Sequence, residues 1–138
     1  MDTIIFVLFA AIVVIGLALL AFITITRKKP TSLNQDDFRS RWLKIENSLD
    51  ENQASVHICI LSADKLLDKA LKARHFKGET MGERLKSAGS SLSKINAVWA
   101  AHKLRNQIAH ESDVFIKPET ARQALAVFKV ALKDLGAL

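Results

Sequence analysis

From Thr3 to Thr26 the chain reads TIIFVLFAAIVVIGLALLAFITIT, with no charged side chain, and no other stretch limits the fold as strongly. As a helix rising about 1.5 Å per residue it is roughly 36 Å long, enough to cross a hydrocarbon core of ~30 Å. A secretory signal is built differently, with a positive start, a shorter apolar stretch and a small-residue cleavage site. Here Asp2 precedes the run, and the run is too long. The expectation is a single transmembrane helix over residues 3–26, in contact with membrane lipid. Arg27, Lys28 and Lys29 follow at once, and no Lys or Arg comes before. Basic flanks stay on the cytoplasmic side. The N-terminus is therefore expected outside a cell (inner) membrane, with the C-terminal domain in the cytoplasm.

Residues 27–33 read as a basic linker around Pro30. Residues 34–138 then make one small domain. Two Pro and five Gly leave few breaks in 138 residues, so helix is the default. The single cysteine, Cys59, lies in the apolar VHICIL and reads as a small buried thiol with no disulfide partner. From Arg27 onward 20 cationic side chains face 13 anionic ones, an excess of seven. That excess suits an anionic partner, either the membrane surface or nucleic acid, without choosing between them.

The apolar spacing predicts four main helices. The first starts near Asn34, with Asp36 and Asp37 in its first turn and a stripe of Phe38, Trp42, Ile45 and Leu49. The second runs from about Asn52 to Arg74 behind Val56, Ile60, Ala63, Leu67, Ala70 and Leu71. Thr80 and Glu83 read as a capping box opening a short helix with Leu85, and SAGSSLS as a turn or loop. The third main helix covers about Ser93 to His110. The fourth opens at Lys117-Pro118, carries Ala121, Leu125, Phe128, Leu132 and Leu135, and closes at Gly136. The fold class is all-α: one N-terminal transmembrane helix followed by a four-helix bundle.

The third helix carries the chemistry. With Arg105 at zero and 100° per residue, Ala97, Ala101, Leu104 and Ile108 share a sector expected to be the core face. Ile95, Trp99, His102, Asn106 and His110 share a second sector, a polar stripe beside an aromatic ring. Taken alone, His102 reads as half buried against a neighbouring helix and satisfied by local hydrogen bonds. His102 and His110 lie about 12 Å apart along the axis, too far to share a metal, and no acid or cysteine has ligand spacing beside them. No metal and no cofactor are expected.

The stretch LRNQIAHE, with Arg105, Asn106 and His110, resembles the signature of the HEPN family: an arginine, a polar neighbour, then a histidine after four to six residues. The resemblance covers roughly Asn34 to Leu135. It implies a small helical bundle, in many members a metal-independent endoribonuclease and in others a module that binds RNA, nucleotides or proteins. It implies Arg105, His110 and Asn106 as catalytic residues, with His102 and Lys103 in contact with RNA. It also implies a homodimer, here through Ile95 and Trp99. The chemistry agrees. A histidine moves protons near neutral pH, and an arginine offers a fork matched to two phosphate oxygens. A spacing of five sets Arg105 and His110 about 140° apart. They converge only through a loosened last turn near Ala109 or through a second copy of the chain.

Three functions follow as expectations: a membrane-anchored ribonuclease using Arg105 and His110, a non-catalytic RNA- or protein-binding module tethered to the inner membrane face, and a purely structural interaction module.

Overall fold

A computed structural model describes residues 2–26 and 33–138. The basic linker expected over 27–33 lies, apart from Leu33, outside the described residues. The chain divides into two compact units, Met1–Thr31 and Ser32–Leu138.

The first unit is one helix, α1 (Asp2–Thr26). Its segment Asp2–Ile23 is long and apolar enough to cross a membrane, and none of it is buried by protein. Ile4, Phe6, Phe9, Ile12 and Leu17 are all exposed. A helix apolar on every side is consistent with membrane anchoring.

The second unit is all-helical: α2 (Gln35–Ser48), α3 (Gln53–Ala73), α4 (Met81–Ser87), a 3-10 turn (Gly89–Ser91), α5 (Ile95–His110) and α6 (Pro118–Asp134). Asn34 caps α2 by accepting from the Asp37 amide, and Asn52 caps α3 by accepting from the Ala54 amide. The apolar stripes expected on α2, α3 and α6 all face one core, in which Ile60, Leu67, Leu71, Phe128 and Leu132 are fully buried. Leu33 joins that core from the end of the linker. At the far end, Gly136 closes α6 with φ +71, a left-handed conformation that glycine adopts without strain.

Two expectations need correction. The core has five α-helices, not four. The Thr80–Glu83 capping box opens α4 as a separate element. This seven-residue helix buries Leu85 and Arg84, and Arg84 Nε donates to Asp68 of α3 at 2.7 Å. The second correction concerns α5. Val98, Ala101 and His102 are its buried residues, while Ala97, Leu104 and Ile108 are only half buried. The buried sector is turned about 80° from the expected one, toward Arg105. The reason lies in the neighbours: α5 packs on both α3 and α6, and α3 offers it a buried carboxylate.

The link between α5 and α6 is pinned to α3. Gln53 brackets Ile116, donating to its carbonyl at 2.8 Å and accepting from its amide at 2.9 Å. His57 Nε2 lies 2.9 Å from the Val114 carbonyl.

Phe128 has no exposed surface and fills the centre of the core. Phe128→Ala should cost about 3–5 kcal/mol, through lost transfer energy and the cavity left behind. A downward shift of that size in chemical unfolding of the full chain in detergent checks it.

Candidate functional site

Asp64 sits on the inward face of α3, one turn after Ile60 and one turn before Leu67, and is only 3% exposed. A carboxylate there must be paired, because an isolated charge is costly to bury. The partners come from α5, where positions i, i+3 and i+4 share a face. His102 Nδ1 lies 2.8 Å from Asp64 Oδ1, and Arg105 Nε lies 3.3 Å from Asp64 Oδ2. Asn106 completes the circuit: its Nδ2 is 3.3 Å from His102 Nε2, and its Oδ1 accepts from Arg105 Nη1 at 3.0 Å. The directions agree with one assignment. Nδ1–H of His102 donates to Asp64, Nε2 accepts from the Asn106 amide, and the amide oxygen accepts from Arg105. The Arg105 contact with Asp64 is ionic rather than a directed hydrogen bond, since its buried Nε–H has no aligned acceptor.

This circuit forms one wall of a polar cleft of about 960 Å³ between α3, α4 and α5. Lys65 and Lys103 line it as exposed cations with no hydrogen bond or ion pair among the described residues, and Arg105 keeps 36% of its side chain accessible. The opposite wall is the start of α4. Arg84 holds it in place, donating to Asp68 and to the carbonyls of Gly78 at 2.7 Å and Glu79 at 3.1 Å. Burial pushes the Asp68 carboxyl up, but the hydrogen bonds from Arg84 and Lys72 outweigh it and hold it below the usual aspartate range.

The residues expected from sequence fall into three places. Arg105, Asn106, His102 and Lys103 all line the cleft, with both ring nitrogens of His102 already engaged. Trp99 also lines it, half buried, with its ring edge-on to His102 at 6.0 Å and over Gly82 of α4. Ile95 is half buried against the core. His110 is exposed at the last residue of α5, and is not part of the cleft wall. The last turn stays α-helical, since the Glu111 amide donates to the Gln107 carbonyl at 2.9 Å. Within one chain the helix therefore does not loosen to bring His110 round to Arg105.

Sequence reasoning missed Asp64 and Arg84. Asp64 left one trace, a lone acid in ILSADKLL at a position on the apolar stripe of α3. A second cavity, shallow and apolar, of about 320 Å³, lies between α5 and α6 beside Ala97, Leu104 and Val127. None of its lining residues is titratable. Among the described residues no three His, Cys, Asp or Glu converge as metal ligands.

No protein-family model, no curated protein and no solved structure matches this chain.

Asp64→Ala should destabilise the domain by about 1–3 kcal/mol, because the His102 N–H loses its buried acceptor. This falls short of the ~3–5 kcal/mol for a fully buried pair because Arg105 can turn to water. Chemical unfolding midpoints read it. The Asp68 ion pair predicts a pH effect of definite sign. The folded carboxyl binds a proton less readily than the unfolded one. Its contribution is full above the ordinary aspartate value of about 3.9 and fades as pH falls through the lowered one. In thermal melts between about pH 5 and 2, Asp68→Asn should flatten the acid limb.

Proposed function

We propose that this chain is a membrane-tethered, HEPN-like helical module whose cytoplasmic domain binds RNA through phosphate contacts in the cleft of α3, α4 and α5. One observation carries the reading: Arg105 stands in the wall of an open polar cleft with its guanidinium held by Asp64 on one side and Asn106 on the other. A guanidinium oriented before ligand arrives loses little freedom on binding, and its fork matches phosphate oxygens. Lys65 and Lys103 add cationic groups free to meet neighbouring phosphates. The RNA is bound at the membrane face because α1 anchors the chain there.

In fluorescence anisotropy with a short single-stranded RNA and the full chain in detergent, Arg105→Ala should weaken binding about tenfold or more. Arg105→Lys should restore only part of it. Binding by Arg105→Ala equal to wild type would sink the assignment.

A second reading, metal-independent cleavage, is favoured by His110, an exposed imidazole on the same helix as Arg105 with no hydrogen-bond or ion-pair partner among the described residues. It requires a two-fold dimer through Trp99 and Ile95, in which one copy supplies Arg105 with Asn106 and the other supplies His110. The RNA 2′-hydroxyl attacks phosphorus and the bond to the 5′ oxygen breaks. A 2′,3′-cyclic phosphate and a 5′-hydroxyl result, with His110 moving a proton and Arg105 meeting the extra negative charge. Such cleavage survives EDTA and falls about 10²–10⁴-fold in His110→Ala. Mixing the inactive Arg105→Ala and His110→Ala chains regains activity, because one of the two sites in the mixed dimer is intact. Failure of the mixture to recover, with wild type active, rejects the shared site.

A further inference from the structure

A second concentration of positive charge among the described residues lies in a groove of about 630 Å³ between α2 and α3, which meets the cleft at Lys65 and Asp68. α3 contributes Lys65, Lys69 and Lys72, at spacings of four and three that keep them on one face. α2 contributes Arg41 and Lys44. Two acids answer these five cations. Asp37 takes Arg41 at 2.9 Å and Lys69 at 2.8 Å, and Asp68 takes Lys72 at 2.7 Å. All three of these cationic side chains remain about half exposed, so the pairs are weak and open to competition from a stronger anion. Lys44 and Lys65 are exposed, with no hydrogen bond or ion pair among the described residues.

We infer that this groove is a docking surface for the anionic headgroups of the bilayer. Three observations favour lipid over nucleic acid. The groove is lined by no aromatic side chain, so it lacks the stacking platform on which sequence-tolerant binding of single strands depends. Ile58, two turns before Lys65 on the same outer face of α3, is 60% exposed, and an aliphatic side chain on a face that also carries lysine suits the boundary between headgroups and acyl chains. Only residues 27–34 separate α1 from α2, a tether of at most about 29 Å. The groove's first wall is thus the first element after a membrane-spanning helix. That proximity gives a weak, sequence-independent attraction a high effective concentration of headgroups. The inference rests on anchoring by α1, and Lys44, which lines the groove and not the cleft, separates it from the RNA reading.

The test uses the full chain with a protease site inserted between Pro30 and Thr31, so that Arg27, Lys28 and Lys29 stay with the span after cutting and Leu33 stays with the core. The chain is reconstituted into nanodiscs of phosphatidylcholine alone or with about a third phosphatidylserine. Before cutting, it should co-elute with both kinds of disc, which checks the anchor separately. After cutting at low salt, the domain should stay on the anionic discs and leave the neutral ones, and about 0.5 M salt should release it from the anionic discs as well. Lys44→Glu, which touches only the groove, should release at least half of the bound domain. Lys44→Glu with Lys65→Glu should release nearly all of it, and Lys117→Glu, elsewhere on the surface, should release none. Circular dichroism confirms that the variants fold. Equal release of the wild-type domain from both discs overturns the inference. So does retention of the Lys44→Glu, Lys65→Glu domain, which moves the lipid contact elsewhere. Loss of RNA affinity in Lys44→Glu without loss of disc binding reassigns the groove to nucleic acid.

Discussion

A carboxylate buried inside a helical domain forces everything around it to answer. Asp64 is 3% exposed, and its two oxygens are met by His102 and Arg105 from a single helix. Leaving them unmet would cost several kcal/mol, so α5 settles on α3 with that polar face inward rather than with the face its alanines define. The rotation of α5 brings Val98 and His102 inward beside Ala101 and leaves Arg105 at the rim of a cleft. A single acid on α3 thus decides which side of α5 faces solvent, and with it which side chains any ligand meets.

α4 depends on the same region at one remove. A helix of seven residues has little stability of its own. It persists because Thr80 and Glu83 close its first turn, Leu85 enters the core, and Arg84 ties Asp68 to the carbonyls before the helix. Arg84 and Arg105 resemble each other in kind, each a guanidinium set against an aspartate of α3. They differ in exposure. At 7% exposed, the Arg84 side chain is structural, whereas Arg105, at 36%, can meet a ligand.

Much of the fold was legible in the sequence because its signals were local. Phe38, Trp42 and Ile45 repeat along α2 and are buried there. Asn52, Thr80 and Pro118 each mark a helix start by their own chemistry. The orientation of α5 was not legible. Ala97, Ala100 and Ala101 are small enough to sit either way, and the face that won is held by polar contacts rather than by apolar surface. Arg105, Asn106 and His102 were visible as a group on one helix. Their anchor was not, because Asp64 lies 38 residues upstream of His102, on another helix. The cleft itself needed α4 for its far wall, and nothing near Arg105 in sequence announces that wall.

One feature of the backbone carries a mechanical consequence. α5 runs without interruption to His110, and the chain just beyond it is clamped to the start of α3 by Gln53 and His57. Arg105 and His110 are therefore marks on one stiff rod, about 7.5 Å apart along its axis and about 140° apart around it. No loop motion can lengthen or twist that interval. Any body that touches both marks meets a gauge of constant length and angle, so its register along the helix is chosen once. A slip by a single residue would turn the face it reads by 100°.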